Sequence, residues 1–188
     1  IIKAGGDRKI AKISPSAMNA IVCSGDVQYI EPYTEKKVMN ANAQWIVQTD
    51  TSGSRKIWDK GIQGEGQIVG ESDSGIDYDH AAFRDSSNQI GSNHRKIVMY
   101  LNYADGKDLD NSGHGTHTAG TIAGDDSYVG GTNSNDGMAY KAKLAFVDIG
   151  GAGDSLSGIP SDYNDLFGPM YNAGARLASN SWGGSNSD

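Results

Sequence analysis

Residues 113–124 read GHGTHTAGTIAG, and this stretch is the strongest indication of fold in the chain. It has the length of a short helix, and most of its residues are small, so the helix can pack closely against a core. His114 would lie in the first turn, where the partial positive charge of a helix N-terminus favours the neutral imidazole. The stretch therefore predicts a closely packed helix that begins with a candidate base.

On both sides of this helix, apolar runs alternate with helical patterns. Residues 67–70, 95–101 and 142–149 have the composition of buried strands, and a fourth such run starts at residue 176. Residues 160–173 form a second helical pattern with large apolar side chains on one face. Strands separated by helices pair in parallel, because the chain must cross over between them. We therefore expect an α/β fold, a doubly wound parallel sheet.

The first residues have a different organisation. We expect residues 1–38 to form a small α+β segment that precedes the sheet domain at residues 39–188, with a short helix from Pro15 and a strand at 27–32. The single cysteine, Cys23, lies in an apolar stretch, which favours a buried thiol.

Composition excludes several function classes. The net charge of -7 is spread along the chain, which argues against a nucleic-acid partner. No apolar run approaches the roughly 20 residues that a membrane span needs, so we expect none.

Residues 72–77 read SDSGID and directly follow the first predicted strand. Catalytic and ligand-binding groups gather at the carboxyl ends of parallel strands, so Asp73 is a candidate site residue there, and Gly75 permits a sharp turn. An Asp-Ser-Gly tripeptide alone is weak evidence, because most occur in ordinary turns or helix caps.

In this order, the two stretches resemble the aspartate and histidine motifs of the subtilisin-like serine proteases, the subtilases. Residues 137–144 (GMAYKAKL) and 180–184 (NSWGG) resemble two further segments of that family. The resemblance implies a serine endopeptidase in which Asp73 orients His114, and His114 takes a proton from a serine. The alternative is a metal site in which His114 and His117 are ligands on one face of the helix. No pattern in the sequence supplies a third ligand for such a site.

The resemblance also implies two edges that hold an extended polypeptide substrate by strand addition. The residues implied are Gly150, Gly151 and Ala152 on one edge and Ser181, Trp182 and Gly183 on the other.

The nucleophile segment of the family, Gly-Thr-Ser-Met-Ala-x-Pro, does not occur in residues 1–188, and Ser181 lacks its context. We therefore expect the serine to lie outside this chain, and residues 1–188 alone to be inactive. The sheet domain would then be incomplete. Its downstream half, in the same or a second chain, would be a partner.

Some positions depart from the family pattern. Glu71 stands at an in-strand position that is usually apolar, and Thr118 replaces valine. A buried carboxylate is costly unless it is paired or protonated. An alternative function is therefore a catalytically inactive scaffold or binding protein. Glu71 favours this alternative, and so does the N-terminal segment if it remains uncut. An unrelated α/β binding protein would require every motif match to be chance.

Further expectations come from the resemblance. Residues 1–38 would be a propeptide that keeps the enzyme a zymogen, and the protein would be extracellular or vesicular. No cofactor is required. Calcium is possible as a structural ion in the acidic loops at 105–110 and 125–126, although solvated acidic loops are the commoner explanation.

Overall fold

The computed structural model describes residues 3–5, 8–27, 30, 40–103, 110, 112–126, 135–151 and 155–183. The chain divides into two compact units, residues 1–38 and residues 39–188.

The described residues of the first unit form a short hairpin and a helix. Strand β1 (Lys3–Gly5) pairs antiparallel with β2 (Arg8–Ile10), and helix α1 spans Pro15–Val22. The helix begins at Pro15 because Ser14 caps it: the Ser14 hydroxyl accepts the N–H of Ala17 at 3.3 Å.

Two expectations for this unit change. The prediction of a buried thiol is wrong: Cys23 is exposed, because α1 buries none of its residues and offers Cys23 no apolar surroundings. In the predicted strand at 27–32, Val27 and Ile30 lie in no regular element, and the other four residues lie outside the described ranges.

The second unit is built on a four-stranded sheet. Its strands are β3 (Ile68–Asp73), β4 (Ile97–Asn102), β5 (Lys143–Asp148) and β6 (Leu177–Ser179). They lie in the order β4-β5-β3-β6, and every neighbouring pair is parallel. The parallel α/β sheet predicted from the alternating pattern is therefore confirmed.

Helices cover both faces of this sheet. Helix α4 (His114–Ala123) and helix α5 (Tyr163–Asn172) pack on opposite faces, each against a separate apolar cluster. On the α4 face the cluster contains Val69, Ile76, Phe83, Ile97, Ala119, Ala123, Ala142, Leu144 and Phe146. On the α5 face it contains Ala145, Val147, Ile149, Leu166, Met170 and Ala175.

Two helices that the sequence pattern did not reveal precede the sheet, α2 (Asn40–Thr49) and α3 (Lys56–Asp59). The residue before α3 provides no side-chain cap, and the side chain of Gln48 on α2 supplies the missing acceptor. Its Oε1 accepts the N–H groups of Ile57 and Trp58 at 3.1 and 3.2 Å.

Strand register gathers polar groups at one edge of the sheet. Asp73 is level with Asp148, and Asn102 is level with Asp148 on its other side. The buried Asp148 carboxylate accepts the Tyr100 hydroxyl at 2.7 Å and the Gly150 N–H at 2.8 Å. These bonds tie the loop after β5 to the sheet edge that carries Asp73.

Candidate active site

An aspartate and a histidine meet at the carboxyl end of β3. The Asp73 side chain is 1% exposed, whereas the His114 side chain, on the first residue of α4, is 52% exposed. Oδ1 of Asp73 lies 2.7 Å from Nδ1 of His114. Asp77, the other carboxylate of the SDSGID stretch, donates its backbone N–H to Thr116 Oγ1 at 2.8 Å. The structure thus brings together the two residues that the sequence singled out.

Close backbone contact sets this distance. Gly75 has a φ of 112°, in the left-handed region that favours glycine. A Cβ atom on Gly115 would collide with the carbonyl oxygen of Gly75 and lie 3.1 Å from the Asp73 Cβ. A side chain at position 115 would therefore push the first turn of α4, and His114 with it, away from the strand.

Asp110 holds the N-terminus of α4, a role that the sequence analysis missed. The N-cap residue, Gly113, has no side chain to accept the first N–H groups of the helix. The Asp110 carboxylate accepts the N–H of Gly113 at 2.9 Å, the N–H of Thr116 at 2.7 Å and the Ser74 hydroxyl at 2.9 Å. An aspartate just before a glycine N-cap was an available signal, since carboxylates stabilise helix N-termini.

A second acid lies beside the pair. Glu71 is 1% exposed, and burial, reinforced by the charges of Asp73 and Asp110, raises its pKa from 4.5 to about 8 despite a hydrogen bond with Thr118. Thr118 Oγ1 lies 2.6 Å from Glu71 Oε1 and 3.4 Å from Asp73 Oδ2. The raised pKa favours the protonated carboxyl, which is the form in which burial costs least.

The first predicted substrate edge lies directly after β5. Gly150 and Gly151 are buried, and Ala152 lies outside the described residues. The N–H of Gly150 donates to Asp148 Oδ1 at 2.8 Å, and the N–H of Gly151 donates to the carbonyl of Ser155 at 2.7 Å. Both N–H groups thus have partners within the chain. Substrate binding by this edge stays a prediction.

The second predicted edge follows β6. Ser181 and Gly183 are exposed and Trp182 is half-buried. Trp182 Nε1 donates to the carbonyl of Ser72 at 2.8 Å, and the Ser72 hydroxyl donates to Asn180 Oδ1 at 2.6 Å. The segment is therefore fixed to β3 one residue before Asp73. Its role toward substrate also stays a prediction.

The Asp73–His114 geometry suits general base chemistry. If Nδ1 carries the proton and donates it to Asp73, Nε2 keeps a lone pair that can accept a proton from a hydroxyl. The half-exposed ring lets another group reach Nε2.

Metal binding finds little support in the described part of the chain, where no three His, Cys, Asp or Glu side chains are grouped to hold an ion. Of the acidic loop at 105–110, only Asp110 is described, and α4 uses its carboxylate. Asp125 pairs with Arg95 at 3.7 Å. Structural calcium therefore stays a prediction.

Across the helices that the structure describes, none has the length and apolar character needed to cross a bilayer.

Comparison with known proteins finds a family model, sequence relatives and a solved structure. The model of the subtilase family matches residues 64–188. The serine protease/ABC transporter B family proteins tagB and tagA of Dictyostelium discoideum are 42% identical over 130 residues and 38% identical over 165 residues. These matches cover 65% and 83% of this chain but 7% and 9% of the relatives. A subtilisin-like protease of Coccidioides posadasii is 32% identical over 159 residues, which is 78% of this chain and 34% of that protein.

A solved structure agrees with the sequence relatives. The CspB protease of Clostridium perfringens superposes with a TM-score of 0.54 at 27% identity, over 70% of this chain and 32% of that one. The chain thus spans about a third or less of the length of each of these proteins. Because the family model matches more than half of the chain, this protein belongs to the subtilase family.

Proposed function

We propose that this chain is the part of a subtilisin-type serine endopeptidase that supplies the aspartate and the histidine of a Ser-His-Asp triad. The observation that carries the proposal is the 2.7 Å contact between Asp73 Oδ1 and His114 Nδ1, at the carboxyl edge of a parallel sheet. Membership of the subtilase family supports it.

The proposed reaction proceeds in two stages. Asp73 accepts the Nδ1–H of His114, and Nε2 removes the proton of the serine hydroxyl as the oxygen attacks the peptide carbonyl. The imidazolium that forms lies against a buried carboxylate, which stabilises it, and it then gives its proton to the leaving amine. Water then attacks the acyl group while His114 takes a proton from it, and His114 returns that proton to the serine oxygen as the acyl group leaves.

The remaining parts belong to the proposal as well. The serine and the oxyanion donors lie outside residues 1–188, in the same or a second polypeptide, so residues 1–188 alone do not hydrolyse peptides. Residues 1–38 are a propeptide, and the enzyme acts in an extracellular or vesicular compartment. The polypeptide substrate lies between the edges at 150–152 and 181–183.

Fluorophosphonate labelling of the native protein tests this proposal, with the labelled peptide located by mass spectrometry. We expect label on a serine outside residues 1–188. The variant His114→Ala should lose the label, because no base activates the serine. The matched variant His117→Ala, an exposed histidine three residues further along α4, should keep it.

The alternative is a catalytically inactive scaffold, and the buried carboxyl of Glu71 beside Asp73 is the observation that favours it. Absence of label in the native protein, beside a labelled subtilisin control, would favour the scaffold and contradict the enzyme. Label that persists in His114→Ala would contradict the assigned role of His114.

A further inference from the structure

Glu71 and Asp73 lie on the same face of β3. Side chains alternate along a strand, so Val69, Glu71 and Asp73 share the face that α4 covers, while Gly70 faces Met170 of α5. Two residues of strand put the two acids about 7 Å apart. Water does not solvate either carboxyl group, because both residues are only 1% exposed.

The hydroxyl of Thr118 lies between the two acids. Its oxygen is 2.6 Å from Glu71 Oε1 and 3.4 Å from Asp73 Oδ2, the Asp73 oxygen that does not contact His114. The backbone carbonyls of Gly115 and His114, at 3.1 and 3.2 Å, lie around the same hydroxyl. A hydroxyl has one hydrogen to donate and lone pairs to accept with. Toward an ionised Glu71 the hydroxyl donates its hydrogen. When Glu71 is neutral the hydroxyl can accept its proton instead, which frees the hydroxyl hydrogen for Asp73 Oδ2 and the two carbonyls beside it.

The other Glu71 oxygen supports the neutral form. Oε2 is buried and makes no hydrogen bond within the part of the chain that the structure describes. A carbonyl oxygen in that position costs less than a carboxylate with half its acceptors empty. The raised pKa of Glu71 agrees with this reasoning from contacts.

On these contacts, and resting on the proposed function, we propose that Glu71 is a positioning residue for the Asp73–His114 pair. As a neutral acid it acts through the Thr118 hydroxyl on the Asp73 oxygen that His114 leaves unused. That hydrogen bond holds the carboxylate in the orientation that meets Nδ1 and disperses part of its charge.

Ionisation of Glu71 would change the pair. The titratable groups around Glu71 are Asp73 on its own strand, Asp110 before α4, His114 on α4 and Asp148 on β5. The described residues of β6 are not titratable, and α5 covers the opposite face. Ionisation of Glu71 would place a second negative charge about 7 Å from Asp73, and that charge would favour the positively charged form of the His114 ring.

Carbethoxylation by diethyl pyrocarbonate tests the inference in the full-length protein. The reagent attacks neutral imidazole, so the rate of His114 modification against pH, read by mass spectrometry, gives the pH midpoint of its deprotonation. Thr118→Val removes the hydroxyl with little change of shape, and we expect the midpoint to rise by about half a pH unit. Thr118→Ser should restore it.

The matched control is Thr121→Val, the same change on α4 at a hydroxyl that donates to the His117 carbonyl. It should leave the midpoint unchanged. Glu71→Gln keeps a donor toward Thr118 but cannot ionise, so it should abolish the further slowing of modification near pH 8 that we expect of the wild type. A Thr118→Val midpoint equal to wild type, or a step near pH 8 that survives in Glu71→Gln, would overturn the inference.

The assay needs no turnover, so it separates this inference from the proposed function. A protein without peptidase activity whose midpoint still responds to Thr118→Val contradicts the function and supports the coupling. In an active protein, the step near pH 8 should appear in kcat rather than KM. Activity together with an unresponsive midpoint supports the function and contradicts the coupling.

Discussion

Replacing Glu71 by glutamine should stabilise the protein, and increasingly so as the pH rises. Burial raises the pKa of this carboxyl from 4.5 to about 8, so the folded state binds a proton that the unfolded chain releases. Glutamine has the same size and can keep the hydrogen bond to Thr118, which lies 2.6 Å away in the wild type. It cannot ionise, so its effect isolates the charge.

The magnitude follows from the size of the pKa shift. The stabilisation from the protonated form is fully present below pH 4.5 and is lost as the pH rises to about 8. Each pH unit in that window removes about 1.4 kcal/mol, so the whole shift corresponds to roughly 3–5 kcal/mol. We expect Glu71→Gln to exceed the wild type by less than about 1 kcal/mol at pH 5 and by roughly 3–5 kcal/mol above pH 8.

Hydrogen exchange followed by mass spectrometry measures this in the full-length protein. Peptides from β3 and α4 of the two proteins are compared at equal pH, so the intrinsic pH dependence of exchange cancels. At pH 8 or above, exchange through opening of this region should be about 10²–10⁴-fold slower in Glu71→Gln. Glu65→Gln, the same substitution at an exposed residue, is the control and should show no pH-dependent difference.

Protection that differs by a constant factor from pH 5 to pH 9 would refute the reasoning, because it would mean that Glu71 titrates alike in the folded and unfolded chain. Glu71→Gln that is less protected than wild type at pH 8 would refute it as well. That result would mean that ionised Glu71 has a stabilising partner.

Three other substitutions have defined outcomes. Asp110→Ala removes the acceptor for the N–H groups of the N-cap Gly113 and of Thr116 in α4, and it should cost about 1–2 kcal/mol in urea unfolding; no change would contradict its capping role. Gly115→Ala forces a collision with Gly75 and should lower the thermal midpoint and abolish fluorophosphonate labelling; a folded, fully labelled variant would contradict the close approach. Asp73→Asn in the full-length enzyme should lower kcat about 10⁴-fold, because the imidazole loses its orienting acceptor, and activity near wild type would remove Asp73 from the triad.

Local signals in the sequence were sufficient for the architecture. Apolar runs separated by helical periods predicted a parallel sheet, and the structure has four parallel strands within a few residues of the expected positions. Small residues marked the helix that begins at His114, and Gly75 marked the turn that follows Asp73. These helices, strands and turns depend on residues that are close together in the chain, so they can be predicted from hydrophobic periodicity and from turn-forming residues.

Local context failed where burial depends on distant residues. The apolar neighbours of Cys23 suggested a buried thiol, but α1 buries none of its residues and the thiol is exposed. The sequence also could not tell whether Glu71 faces a polar loop or the core, since that depends on which helix covers its face of the sheet.

Only the tertiary structure determined how the site residues meet. The contact between Asp73 and His114 joins residues 41 apart in the chain, Ser74 meets Asp110 across 36, and Thr118 meets Glu71 across 47. No pattern of local propensity encodes such contacts, because they arise when the crossover between β4 and β5 brings α4 back onto the sheet. The sequence by itself determined the fold class and two candidate residues, and packing of α4 on β3 determined their geometry and their coupling to Glu71.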